Sequence, residues 1–317
     1  MKPKLIVITP IKHIHGLVDK LEKNMDVTYF ENPEEKDLLS IINKYDALFT
    51  NPNKSNIFIG DNLLKNCLNL KVVCTASTGT NHIDIDLLKK KNINLISLTN
   101  ERKVINKISS TAEHAFALTL SSIRNIIPSY KDVLKGNWNY EKFIGRQMNF
   151  LNIGVVGYGR LGKMYASFSK AFGAKVFVYD PYVDTIDKEM KKVNHINDLL
   201  TVSDIISFHI HVNKETYKIV DNKWFNKMKN NVLLINTSRG EIINEKHLIR
   251  FLSKNKMVKL STDVIFDEIK VKKQSNLIKY AKETDQILIT PHIGGMTHEA
   301  QQIAYNHAAD LLINSFN

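Results

Sequence analysis

"NIGVVGYGRLGKMYASFSKAFG", residues 152 to 173, carries three signals in one stretch. An apolar run, Ile153 to Val156, ends in glycine, and Gly157, Gly159 and Gly162 follow in the G-x-G-x-x-G spacing. Leu161, Met164, Tyr165 and Phe168 then recur at helical intervals. Strand, glycine turn and helix in this order open a βαβ unit. The first glycine permits the tight turn, the second lets backbone approach a pyrophosphate, and the third lets helix and strand pack closely. The positive end of the helix then faces the phosphates. The next apolar run, "KVFVYD" (175 to 180), ends in Asp180, and 180 minus 157 gives 23 residues, close to the roughly 20 expected of an acid that binds the adenosine ribose. Such a carboxylate accepts from both ribose hydroxyls and repels a 2′-phosphate, which favours NAD over NADP. The alternative for Asp180 is a turn residue at a strand end in "YDP".

Working outward, the same pattern of short continuous apolar runs recurs on both sides. Before the glycine loop come "KLIVIT" (4 to 9), "DALFT" (46 to 50), "KVVCTA" (71 to 76) and "INLISL" (93 to 98). After it come "DIISFHI" (204 to 210), "NVLLINTS" (231 to 238), "KLSTDVI" (259 to 265) and "QILITP" (286 to 291). Runs without polar alternation are what a parallel sheet covered on both faces requires, so the chain reads as α/β. Between the two series, "STAEHAFALTLSSIRNII" (110 to 127) has helical spacing throughout and predicts one long connecting helix between two doubly wound halves. A last helix, about 297 to 315, follows the second series, and sequence alone does not fix which half it joins.

Composition narrows the function classes. At 317 residues the chain suits two domains. No apolar run approaches the roughly 20 residues that span a bilayer, and the apolar core of "MKPKLIVITP" is too short for a signal peptide, so a cytoplasmic protein is expected. The net charge of +12 is spread over helices and loops such as "LLKKKN" and is not interleaved with aromatic residues, which argues against a nucleic-acid partner. Cys67 and Cys74 have neither metal-knuckle nor disulfide-framework spacing. His209 and His211 would share one face of a strand, yet no third zinc ligand is evident, and the "HIH" at 13 to 15 fares no better.

A dinucleotide site names a cofactor, not a reaction. The chemistry has to come from the later strand ends, where "LLINTSRGEIIN" delivers Arg239, "STDVIFDE" delivers Glu268 and "ITPHIGG" delivers His292. Ligands of open parallel sheets bind beyond the carboxyl ends of the strands, so all three can serve one crevice. A lone histidine in "PHIGG" would ordinarily be an exposed residue of a turn. Pro291 should end the ladder there, with Gly294 and Gly295 turning the chain away.

These motifs, with "STGTNHIDIDLLKKKNI" (77 to 93), "TAEHAFAL" (111 to 118) and "DIISFHIHVNKET" (204 to 216), resemble the D-isomer-specific 2-hydroxyacid dehydrogenase family. The resemblance implies a Rossmann NAD-binding domain, 101 to 292, inserted in a flavodoxin-like substrate domain, 1 to 100 plus 293 to 317. It gives Arg239 the substrate carboxylate and 2-oxo oxygen, His292 the acid/base role, and Glu268 the orientation of His292. It gives the loop of Ser77, Thr78, Gly79 and Thr80 the substrate carboxylate through backbone amides, and it sets Lys54 where phosphoglycerate enzymes commonly use arginine. Tyr158, Arg160, Leu161, Pro181, His209, Thr216, Thr237, Asp263 and Gly294 fall where the family lines its cofactor, beside Gly157, Gly159, Gly162 and Asp180. It further implies NADH-dependent turnover of a small 2-oxo or 2-hydroxy acid, no metal, and a homodimer formed through residues 110 to 150, including Trp138. The family's corepressor branch, in which NAD binding controls association, stands as a regulatory alternative.

Overall fold

The computed structural model describes residues 1–52, 57–65, 67–268 and 274–317. The chain divides into two compact units, residues 1–108 with 295–317, and residues 109–294.

In the first unit, β1 (Lys4–Val7), β2 (Asp26–Tyr29), β3 (Ala47–Thr50), β4 (Val72–Thr75) and β5 (Asn94–Ile96) form one parallel sheet in the order β2-β1-β3-β4-β5. Leu5, Val7, Phe49 and Cys74 face one side and Ile6, Leu48 and Val73 the other, each in its own core cluster. Both faces are covered, which is why β1, β3 and β4 read as unbroken apolar runs. The helix His298–Asn314 supplies Ala304, Tyr305, Ala308, Ala309 and Leu312 to the first of these clusters. Full burial of a Leu or Phe side chain here contributes about 1.5–3 kcal/mol. Cys74 lies among these residues, and burial pushes its thiol well up. Both cysteines are free and buried.

The second unit holds a seven-stranded parallel sheet in the order β12-β11-β10-β9-β6-β7-β8. Its strands are β6 (Asn152–Val156), β7 (Lys175–Tyr179), β8 (Lys191–Lys192), β9 (Ile205–Phe208), β10 (Leu233–Asn236), β11 (Lys259–Thr262) and β12 (Ile287–Ile289). From β6 the chain builds outward through β7 to β8, then returns to add β9 on the other side of β6. The order therefore reverses between β6 and β9, the switch point at which open α/β sheets bind dinucleotides. All the predicted apolar runs form strands, and two strands escaped notice. β2 is an edge strand with only partly buried side chains, and β8 is two lysines long.

The stretch 110 to 127 departs from the single helix expected. A helix runs over Ser110–Ile123, stops, and a second one begins at Ile126. Asn125 between them adopts φ 52, the left-handed region that asparagine tolerates better than most residues. Its side chain fixes the break: Lys259 Nζ donates to Oδ1 at 2.7 Å and Nδ2 donates to the Ile144 carbonyl at 3.3 Å. Helical periodicity carries no information about such an anchor. Among the described residues, no helix is long and apolar enough to cross a membrane.

Candidate active site

The glycine loop joins β6 to the helix Arg160–Ala171. Gly157 has φ 91, and a Cβ there would lie 2.5 Å from the His209 carbonyl oxygen, so the turn admits no side chain. At Gly162 a Cβ would collide with the Gly157 carbonyl, which explains the third glycine. Gly159 differs: a Cβ would meet nothing within 4 Å, so its backbone borders open space at the amino end of the helix. A pyrophosphate requires that combination of a bare backbone and a helix amino terminus, and the residues present fit one.

Asp180 follows β7 and both of its oxygens are engaged. Oδ2 accepts from the Tyr158 amide at 2.7 Å and Oδ1 from the Tyr182 amide at 2.9 Å. Each oxygen retains a lone pair for a ribose hydroxyl. The carboxylate thus ties the glycine loop to the end of β7, a turn role that leaves its remaining lone pairs open to a ribose.

Three strand ends bring the catalytic candidates together. The loop after β10 is pinned by Asn236, whose Nδ2 donates to the Arg239 carbonyl at 2.9 Å and whose Oδ1 accepts from the Ser238 amide at 3.0 Å. Ser238 Oγ donates to the Phe208 carbonyl at 2.6 Å. Arg239 follows, its guanidinium donating to the Ser238 carbonyl at 2.7 Å. Burial pulls its pKa below the ordinary value, while the Glu268 and Glu241 carboxylates pull the other way; a guanidinium remains charged in such a balance. Glu241 Oε1 also accepts from the Asp267 amide at 3.2 Å, which joins the Arg239 loop to the segment carrying Glu268. Glu268 Oε1 lies 2.6 Å from His292 Nδ1, the distance of a charge-assisted hydrogen bond from imidazole to carboxylate.

The turn after β12 is built differently from the expectation. Neither Gly294 nor Gly295 has a positive φ; His292 itself takes the left-handed conformation at φ 56. A residue other than glycine held there costs on the order of 1–3 kcal/mol. Asp263, 1% exposed, offsets that cost. Its Oδ1 accepts from the Ile293 amide at 2.9 Å and from Thr290 Oγ1 at 2.5 Å, and its Oδ2 accepts from the Gly294 amide at 2.7 Å. His114 Nε2 lies 3.4 Å from Oδ1 and 2.9 Å from Thr290 Oγ1. Burial alone would raise the Asp263 pKa, but hydrogen bonds from His114, Thr290, Ile293 and Gly294 outweigh it and hold the carboxyl below its ordinary value. Gly294 is needed for close approach, since a Cβ there would sit 3.0 Å from Asp263 Oδ2.

Other expected cofactor contacts fall as follows. The Tyr158 side chain is buried, with its hydroxyl 3.4 Å from Met190 Sδ, so only its backbone belongs to the loop surface. Arg160 and Leu161 open the helix after Gly159. The His209 ring turns inward, with Nε2 2.9 Å from Ser207 Oγ and the ring 5.1 Å from that of Tyr165. Burial drives its pKa down to about 3, so it is neutral. Thr216 folds back on its own loop, its hydroxyl donating to the His211 carbonyl at 2.5 Å. Thr237 is buried and Pro181 exposed. Among the described residues, no group of three His, Cys, Asp or Glu side chains is placed to hold a metal ion. His114, Thr290 and Asn236 were given no role by the sequence reading; Asn236 and Thr290 sit in the polar clusters "INTSRG" and "TPH", and His114 in "TAEHAFAL".

In the first unit, the loop after β4 has its carbonyls occupied. The Ser77 hydroxyl donates to the Gly79 carbonyl at 2.6 Å, Thr99 Oγ1 to the Thr78 carbonyl at 3.0 Å, and the Leu98 amide to the Ser77 carbonyl at 3.0 Å. Among the described residues, the amides of Thr78, Gly79 and Thr80 donate to no protein group. Lys54 lies outside the described residues.

Comparison with known proteins identifies the family. The family described as D-isomer specific 2-hydroxyacid dehydrogenase, NAD binding domain, matches residues 116–294. A D-3-phosphoglycerate dehydrogenase of Archaeoglobus fulgidus is 30% identical over 301 residues, which cover 94% of this chain but 54% of that protein. The chain therefore spans about half the length of that relative. A glyoxylate reductase of Thermococcus litoralis is 30% identical over 314 residues, covering 95% of this chain and 90% of the other. The structure of a D-lactate dehydrogenase from Aquifex aeolicus with NAD and lactic acid superposes with a TM-score of 0.83 at 28% identity, covering 99% of this chain and 95% of that one. With the fold, the glycine loop and the family match in agreement, the chain belongs to the D-isomer-specific 2-hydroxyacid dehydrogenase family and carries that family's NAD-binding domain.

Proposed function

We propose that the protein uses NADH to reduce a small 2-oxo acid to the D-2-hydroxy acid, or runs the reverse oxidation with NAD. The observation that carries this reading is the 2.6 Å contact between His292 Nδ1 and Glu268 Oε1 on a turn clamped by Asp263. The glycine loop and Asp180 would hold the dinucleotide, which when bound would supply or accept the hydride at C2 of the acid. His292, with Nδ1 committed to Glu268, gives the proton to the carbonyl oxygen from Nε2 or removes it from the hydroxyl. Glu268 orients the ring by accepting from Nδ1 at 2.6 Å, which leaves Nε2 to face the substrate. Arg239 offers a planar, permanently charged fork to the substrate carboxylate and the 2-oxo oxygen. We assign the Ser77–Thr80 loop a carboxylate-binding role through its backbone amides, supported by the three amides that, among the described residues, donate to no protein group. Asp180 selects NAD over NADP.

The relatives act on phosphoglycerate, glyoxylate and lactate according to their names, so the substrate class proposed is a short 2-oxo acid with a free carboxylate. NADH oxidation with glyoxylate, hydroxypyruvate, pyruvate and 3-phosphohydroxypyruvate tests it. Turnover of at least one is expected, and measurable NADH binding with turnover of none would favour the sensor reading. We further propose a homodimer through the segment after the helix Ser110–Ile123, where Leu134, Trp138 and Ile144 are 68%, 91% and 76% exposed. Isolated surface hydrophobics are ordinary, but so many in one short segment mark an interface. Sedimentation at the mass of one 36.3 kDa chain would refute it.

A further inference from the structure

The Asp263 carboxylate is 1% exposed, and a buried charge is costly unless it is paired and its lone pairs are used. Its backbone partners, Ile293 and Gly294, lie immediately after His292, while Thr290 lies just before it. Among the described residues, the ionisable side chain that pairs with it is His114, on the helix Ser110–Ile123. The hydrogen bonding fixes which ring nitrogen of His114 carries a proton. Thr290 Oγ1 uses its only proton on Asp263, so towards His114 Nε2, 2.9 Å away, it can only accept. His114 therefore holds a proton on Nε2, aimed at both Thr290 and Asp263.

We infer that His114 is a positioning residue for the reaction: it closes a triangle with Thr290 and Asp263, and through that triangle fixes the left-handed backbone that presents His292. The inference rests on the reaction proposed above. Removing the imidazole leaves the buried Asp263 charge short of a donor and loosens the two amides that hold His292 at φ 56. Misplacement of a proton donor by about 1 Å can cost on the order of a hundredfold in rate.

The test compares wild type with His114→Ala and His114→Gln, because glutamine can place an amide N–H near the position of Nε2. NADH titration gives the fraction of folded, binding-competent protein, and turnover is expressed per bound site. For His114→Ala, kcat is expected to fall about tenfold to a hundredfold, with NADH affinity and the 2-oxo acid KM within about threefold, and His114→Gln is expected to recover most of kcat. The ring resonance of His292 in the proton NMR spectrum, identified by its loss in His292→Gln, should move in His114→Ala and return in His114→Gln. An unchanged kcat or an unmoved His292 resonance in His114→Ala overturns the inference, as does a loss that tracks NADH binding alone or one that glutamine fails to recover. If wild type binds NADH and reduces none of the acids, the proposed reaction fails, and the NMR comparison still decides the role of His114.

Discussion

The turn after β6 and the turn after β12 solve the same problem with opposite residues. Both end a parallel strand, central in one case and at the sheet edge in the other, and both need a residue in the left-handed region: Gly157 at φ 91 in one, His292 at φ 56 in the other. In the first the backbone is what matters, and the nearby His209 carbonyl leaves no room for a side chain. In the second a side chain has to leave the turn in a set direction, so strain is accepted and offset by the bonds of Asp263 to the flanking amides. Glycine serves where only main chain must approach a ligand. A clamped histidine serves where a ring must be presented in one direction, as the proposed proton transfer requires.

Removing the clamp should have the largest effect. Asp263→Ala breaks a buried, fully bonded carboxylate and should cost about 3–5 kcal/mol in stability, with turnover falling further than NADH binding; denaturant unfolding and kinetics on the same sample check it. In the glycine turn, Gly157→Ala meets both a positive φ and the His209 carbonyl at 2.5 Å. A loss of about 2–4 kcal/mol, within the usual range for strained core sites, is expected together with NADH binding. Gly159→Ala separates fold from ligand, because its Cβ meets no protein atom within 4 Å. Its Tm should stay near wild type while NADH affinity drops about tenfold, or roughly 1.4 kcal/mol; an unchanged affinity would show that the open space is not the phosphate site.

The two turns can also be compared through one position. His292→Gly and His292→Ala lose the same imidazole, yet glycine is at ease at φ 56 and alanine is not. The glycine variant should be more stable by about 1 kcal/mol, the usual left-handed penalty. Equal stabilities would mean that the backbone relaxes once the ring is gone.

Acid should separate the two turns by pH. The His209 ring, beneath the glycine turn, has its pKa lowered from 6.5 to about 3 by burial. The unfolded chain takes up a proton that the fold refuses, so stability is lost as pH falls from about 6.5 towards 3. Asp263 is also lowered, from 3.8, so its stabilisation is present above that value and lost below it. Between pH 6.5 and 4, His209→Gln should flatten the decline of Tm by a few degrees, and Asp263→Asn should leave that window unchanged.

Much of this was legible in the sequence, for reasons that differ by element. The buried strands declared themselves as apolar runs, and the glycine spacing with Asp180 marked the turn after β6 because each residue there answers a local steric or electrostatic demand. Arg239, Glu268 and His292 were legible as an ordered set at strand ends. What escaped depends on contacts between distant segments. The break at Asn125 is held by Lys259, the left-handed state of His292 is held by Asp263, and His114 meets Asp263 across more than a hundred residues of chain. The edge strand β2 escaped because Asp26 and Thr28 interrupt its apolar residues, so it forms no continuous apolar run.

The most direct test of the central claim is the rate of NADH oxidation by wild type and His292→Gly across the 2-oxo acid panel, with NADH affinity measured on the same preparations. Wild type should turn over at least one acid, and the variant should bind NADH within about threefold of wild type while losing on the order of 10²–10⁴ in kcat. A wild type that reduces none of the acids, or a variant that reduces them as fast as wild type, would contradict it.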